Sequence, residues 1–131
     1  MGQRVLLVED EPELLQALSV RLTASGFACR LAANGLEALA IAQAWHPQLV
    51  IADLVMPKMD GYTLVQRLRQ DPATAPIPIM VLTAVPAFAR ESRQELRGVH
   101  VIQKPFDSEQ LLLTARQLLG QNASSGGLSH G

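Results

Sequence analysis

The chain repeats one arrangement from end to end: a short apolar run that stops at a polar residue, then a stretch of helical period. Val5-Leu6-Leu7-Val8 stops at Glu9-Asp10, and Leu49-Val50-Ile51-Ala52 stops at Asp53. Pro78 withholds a backbone donor, so a further strand begins at Ile79 and runs to Leu82, before Thr83. Val99 to Ile102 gives another, followed by Lys104-Pro105. Unbroken apolar runs of this length suit strands buried on both faces of a parallel sheet. A weaker run from Phe27 to Leu31 supplies the remaining strand.

The intervening stretches read as helices. Pro12 sits where a first helical turn tolerates it, and Leu14, Leu18 and Leu22 line one face up to Gly26. After Asn34-Gly35, Ala38, Ile41, Ala42 and Trp45 fall at the i, i+3, i+4, i+7 spacing of a buried stripe, which predicts a core position for Trp45. Leu64, Val65 and Leu68 mark a helix opened by Gly61 and stopped near Asp71-Pro72. Pro86 to Arg97 is the weakest helix, with Phe88 and Leu96 almost alone as anchors. Asp107 with Gln110 forms a candidate capping box for a last helix through Leu119.

Five β-then-α units in series predict an α/β fold, a doubly wound parallel sheet with helices on both faces. The domain spans residues 1–119. From Gly120 the chain turns to Gly, Ser and Asn without apolar period, so 120–131 reads as a disordered tail or linker remnant. Aromatics are 4% of a chain that is 48% hydrophobic, so aliphatic side chains must fill the core. A net charge of -1, from 11 basic and 12 acidic residues, supplies no field for direct nucleic-acid binding or an anionic membrane surface. No apolar stretch reaches the roughly 20 residues of a membrane span, and the start lacks a signal peptide's layout. With a single cysteine, Cys29, these features predict a soluble cytoplasmic domain without internal disulfides.

In an open α/β sheet the ligand crevice lies beyond the carboxyl ends of the strands. Glu9, Asp10 and Glu11 stand there after the first strand, Asp53 after the third, Thr83 and Ala84 after the fourth, and Lys104 after the fifth. Carboxylates gathered in one crevice repel one another unless a cation sits among them. Magnesium takes hard oxygen ligands and is typically held by one or two carboxylates with phosphate oxygens. A carboxylate can itself be the nucleophile, forming an aspartyl phosphate. Lys104 and the metal would then neutralise the transferring group while the Thr83 hydroxyl donates to a phosphoryl oxygen. The bland alternative makes Glu9-Asp10-Glu11 a solvated cluster at a helix start, favoured by the helix dipole. Asp53 and Lys104 on the same rim weigh against it. His46, His100 and His130 lie in separate segments without ligand spacing. Met56, Met59 and Cys29 read as packing residues.

Val5-Leu6-Leu7-Val8-Glu9-Asp10-Glu11 resembles the opening of response-regulator receiver domains of the two-component, chemotaxis-regulator type. Asp53-Leu54-Val55-Met56-Pro57-Lys58-Met59-Asp60-Gly61 resembles that family's phosphoacceptor loop, and Leu82-Thr83-Ala84 and Lys104-Pro105-Phe106 match its remaining signatures. The resemblance covers roughly Arg4 to Leu119. It implies a flavodoxin-like (βα)5 fold with strand order 2-1-3-4-5 and phosphorylation of Asp53 in a phosphorelay. It further implies Mg2+ on Asp10, Asp53 and the Val55 backbone carbonyl, with Glu9 assisting through water, and a cis peptide between Lys104 and Pro105. The implied partners are a histidine kinase or phosphotransfer protein and a downstream effector, with a homodimer left open. The domain would catalyse only its own phosphorylation and dephosphorylation, so it is not an enzyme in the usual sense.

The chain departs from the family pattern at Val101, where an aromatic switch residue is usual, and at Arg97-Gly98-Val99-His100, where many members carry Gly-Ala-Asp-Asp. The interval from Thr83 to Lys104 is also one residue short. All three departures fall on the output side, so Thr83 remains the switch residue while Val101 replaces the ring. Two positions that govern water access to the phosphoryl group, Val55 and Val85, are both valine, which predicts a long-lived phosphoryl state. A second functional class is a degenerate receiver serving only as a docking or dimerisation module. A third, a phosphatase of the haloacid-dehalogenase type, would place a second Asp where Val55 stands.

Overall fold

A computed structural model of the chain describes residues 2–54, 56, 58–84 and 99–127, with backbone alone for 121–127. Val55, Pro57, Val85, the helix expected over Pro86–Arg97 and His130 lie outside the described residues. In chain order the elements are β1 (Arg4–Val8), α1 (Pro12–Ala24), β2 (Ala28–Ala32), α2 (Gly35–Trp45), β3 (Leu49–Asp53), α3 (Gly61–Gln70), β4 (Ile79–Thr83), β5 (Val99–Gln103) and α4 (Ser108–Gly127). The strands form one parallel sheet in the order β2-β1-β3-β4-β5, as expected.

The strand period sorts the core into two layers. Val5 and Leu7 of β1, Leu49 and Ile51 of β3, and Met80 and Leu82 of β4 pack with Leu18 and Leu22 of α1 and Leu111 and Ala115 of α4. The alternate residues Leu6, Val8, Val50, Ala52, Ile79 and Val81 pack with Ala38 and Ala42 of α2 and Leu64, Val65 and Leu68 of α3. Successive side chains of a strand point to opposite faces, so an unbroken apolar run needs helices on both sides. Each run is therefore satisfied only in this sandwich.

Local chemistry sets the helix starts. Pro12 begins α1, the Asn34 side chain accepts the Glu37 N–H at 3.0 Å, and the Asp60 side chain accepts the Thr63 N–H at 2.8 Å. At α4 the Asp107 carboxylate accepts the Glu109 N–H at 3.0 Å, a simple cap where the predicted box would have bonded Gln110. These bonds satisfy N–H groups that have no partner within the first helical turn.

Two expectations need correction here. Helix α4 continues to Gly127, past the predicted stop at Leu119 and into the segment read as a tail. A lone glycine costs a helix only about 1 kcal/mol relative to alanine, so Gly120 is a weak terminator. Trp45 is half-buried instead of core, with the Arg30 guanidinium 5.0 Å from its ring centroid. Trp45 is the last residue of α2, so its ring lies at the helix end beside edge strand β2. Cys29 is half-buried and packs against the core layer of α1 and α4, as expected. Among the described residues no helix is long and apolar enough to cross a membrane.

Candidate functional site

The residues expected on the rim come together at the carboxyl edge of β1, β3, β4 and β5. The Glu9 N–H extends the β1–β2 pairing by donating to the Ala32 carbonyl at 3.0 Å, and the Glu9 side chain is fully buried. Asp10, one residue later, is exposed. Asp53 ends β3 and is buried, and Thr83 ends β4 and is buried almost completely. Past β5 the Lys104 N–H donates to the Thr83 carbonyl at 2.6 Å, and the Lys104–Pro105 peptide is cis.

Lys104 Nζ lies 3.0 Å from Asp53 Oδ2 and 3.5 Å from Glu9 Oε1. The first contact is a charge-assisted hydrogen bond. The second is an ion pair too long to serve as a good hydrogen bond, so Glu9 Oε1 is buried without a hydrogen-bond partner among the described residues. The other Glu9 oxygen accepts the Glu11 N–H at 3.2 Å. Carboxylate oxygens of Glu9, Asp10 and Asp53 all lie within 4.8 Å of one another.

Electrostatics follow from this crowding. Burial first, and the neighbouring Asp53 charge second, push the Glu9 carboxyl from its ordinary 4.5 up to about 7, against the opposing pull of the Glu11 N–H and Lys104. Burial works against the charged form of Lys104, yet its hydrogen bond to Asp53 and the charges of Asp53 and Glu9 outweigh that and raise its pKa. One ammonium faces three carboxyl groups, so the pocket retains an excess of negative charge whenever they are ionised. A buried, unpartnered carboxylate oxygen beside two more carboxylates offers an all-oxygen donor set for a hard divalent cation.

The backbone between Asp53 and α3 folds back on itself. Leu54 donates to the Leu82 carbonyl at 2.9 Å and accepts the Gly61 N–H at 2.9 Å. A Cβ at Gly61 would collide with the Asp53 carbonyl oxygen, so glycine is required there for close backbone approach. Lys58, in the same loop, adopts a positive φ of 68°. The expected ligand carbonyl of Val55 lies outside the described residues. Val101 is buried and pairs with Val81, two positions before Thr83, which pairs with Gln103. It adjoins the site through its pairing with β4. Sequence reasoning did not find the approach of Gly35 to Met59, whose N–H and carbonyl lie 3.1 Å apart.

This arrangement coincides with a known family. The model of the response regulator receiver domain matches residues 5–116. The chain belongs to the response regulator receiver domain family. Among its relatives, the DNA-binding dual master transcriptional regulator RpaA of Synechocystis is 36% identical over 117 residues, 88% of this chain and 48% of that protein. The response regulator Rre1 of the same organism is 37% identical over 123 residues, 92% of this chain and 53% of that protein. The receiver domain thus spans about half the length of these relatives. Its fold resembles the chemotaxis response regulator CheY4 of Vibrio cholerae, with TM-score 0.83, 30% identity, and coverage of 90% and 99% of the two chains. It is equally similar to the receiver domain of the sensor histidine kinase PA1611 of Pseudomonas aeruginosa, with TM-score 0.83, 27% identity, and coverage of 92% and 99%. That receiver is described with a magnesium ion coordinated in its active site cleft.

Proposed function

We propose that this receiver domain accepts a phosphoryl group on Asp53 in a magnesium-dependent transfer and signals through the resulting change of shape. The supporting observation is the Lys104 ammonium held between Asp53 and Glu9, beside a Glu9 oxygen that lacks a hydrogen-bond partner.

The donor is a phosphohistidine of a kinase or phosphotransfer protein. A carboxylate oxygen of Asp53 forms the new bond to phosphorus as the bond to the histidine nitrogen breaks, and the departing imidazole keeps that bond's electrons and takes a proton from water. Attack through Oδ1 leaves the Lys104 hydrogen bond to Oδ2 in place. Lys104 balances charge on the transferred group, and the Thr83 hydroxyl donates to one of its oxygens. Asp10 and Asp53, the Val55 carbonyl and, through water, Glu9 would hold Mg2+. When bound, this ion supplies charge neutralisation at the phosphoryl oxygens. The chain turns over no separate substrate, so it acts only on its own phosphoryl state.

A receiver retained solely for docking has no need of this acidic cluster or of its lysine, and their assembly here favours phosphoacceptance. Labelled acetyl phosphate with magnesium should modify Asp53 alone. Undiminished label in Asp53→Ala would overturn the assignment. With valine at 55 and 85, the aspartyl phosphate should be long-lived, and Val55→Asn should hasten its decay.

A further inference from the structure

The loop after Asp53 has to hold its backbone in place, because the proposed site draws a carbonyl ligand from it. Its two ends are pinned at Leu54 and Gly61. Met59, near its α3 end, reaches across to α2, where the Gly35 N–H donates to the Met59 carbonyl at 3.1 Å. Gly35 is the first residue of α2, so this N–H has no partner within its own helix. Its position is fixed by reciprocal caps. The buried Asn34 side chain accepts the Glu37 N–H at 3.0 Å, and the Glu37 carboxylate accepts the Ala33 N–H at 3.0 Å.

Gly35 is also held close. A Cβ there would collide with the Met59 carbonyl oxygen and would lie 2.7 and 2.8 Å from Met59 Cβ and Cγ. The oxygen is backbone, so it can yield only if the loop moves. Met59 and Met56 are both buried in the layer shared by α2 and α3. Asp60, next in the chain, caps α3, so displacement of Met59 would carry into both the loop and the helix start.

We propose that Gly35 is a positioning residue of the magnesium site: by close approach to Met59 it sets the height of the loop that follows Asp53. The inference rests on the phosphoacceptor reading above and adds a residue from α2 that touches neither metal nor phosphoryl group. Disturbing the groups that orient metal ligands typically weakens a site at least about tenfold, and a Cβ at Gly35 would disturb the loop that carries one.

The test is magnesium affinity by calorimetry for wild type, Gly35→Ala, Met59→Gly and Leu36→Ala, with far-UV circular dichroism to establish folding. Leu36 is exposed on the same helical turn and serves as the control. Gly35→Ala should remain folded and bind magnesium about tenfold more weakly, while Leu36→Ala matches wild type. If Gly35→Ala does not fold, Met59→Gly decides, since it loosens the same contact from the loop side and should weaken binding in the same direction. Wild-type affinity in a folded Gly35→Ala, or in Met59→Gly where that variant decides, would overturn this inference alone. Failure of the wild type to bind magnesium would overturn the phosphoacceptor reading and this inference with it.

Discussion

Lys104 donates its backbone N–H to the Thr83 carbonyl at 2.6 Å, so the cation of the pocket hangs from the same residue that supplies its hydroxyl. The ammonium then reaches back to Asp53 and Glu9. Removing it leaves two buried carboxyl groups without their counter-charge. Lys104→Met should lower the unfolding free energy by about 1–3 kcal/mol at pH 7.5. The deficit should shrink at pH 5, where Glu9 is protonated. Urea melts at the two pH values check this, and a deficit independent of pH would count against it.

Glu9 itself predicts an inverted acid response. Its folded pKa of about 7 lies above the ordinary 4.5, so folding favours the protonated form. That stability is fully present below pH 4.5 and is lost as pH rises towards 7 and beyond. The metal-free chain should therefore lose up to roughly 3 kcal/mol from this group between pH 4.5 and 8. Glu9→Gln should flatten that slope, as should saturating magnesium, which binds the ionised form. An unchanged slope in Glu9→Gln would place its origin elsewhere.

Asp10 is exposed yet belongs to the acidic cluster. Relief of its repulsion should make Asp10→Asn about 0.5–2 kcal/mol more stable than wild type without metal. The same variant should lose the stabilisation that magnesium gives the wild type, because ligand stabilisation requires binding to the native state. Thermal melts with and without magnesium test both halves. A destabilised metal-free variant would show that Asp10 is structural.

Val101 bears on how the signal leaves the site. It is buried against β4, and a short β-branched side chain has few rotamers to exchange. The phosphoryl group shifts the equilibrium only through its different contacts with the two states. With no ring to move, the change should pass into the backbone after Ala84. Beryllofluoride with magnesium should perturb amide signals from Ala84 to Arg97 more than those around Val101. Large shifts confined to β5 would refute this.

His46 ends α2 with a positive φ of 54°, where a side chain costs about 1–2 kcal/mol. His46→Gly should gain about 0.5–1 kcal/mol after the added unfolded-state entropy, since its carbonyl still accepts the Arg4 guanidinium. Magnesium affinity should not change. Chemical denaturation resolves a shift of that size.

Much of the fold and the site is legible in the sequence. Val5–Val8 and Leu49–Ala52 have no polar face, which forces burial on both sides, and the carboxylates that end them have to share one rim. Complete burial of Glu9 is not legible, because a carboxylate closing an apolar run looks like a solvated rim residue. Its N–H pairs with Ala32, a partner from another strand that the run of β1 does not reveal. The approach of Gly35 to Met59 is hidden for the same reason, since Asn34-Gly35 alone shows only a helix start. The end of α4 is misplaced when a single glycine is given more weight than its cost allows.

Strand order also dictates a sequence of assembly. β1 emerges first from the ribosome, yet it sits between β2 and β3 and cannot complete its pairing until Leu49 arrives opposite Val5. β4 and then β5 add outward in the order of synthesis. The three acidic residues are thus synthesised before Lys104, which follows the last strand. A nascent chain halted after Thr83 would carry the pocket's acidic residues without its lysine, and synthesis through Lys104 supplies the missing counter-charge.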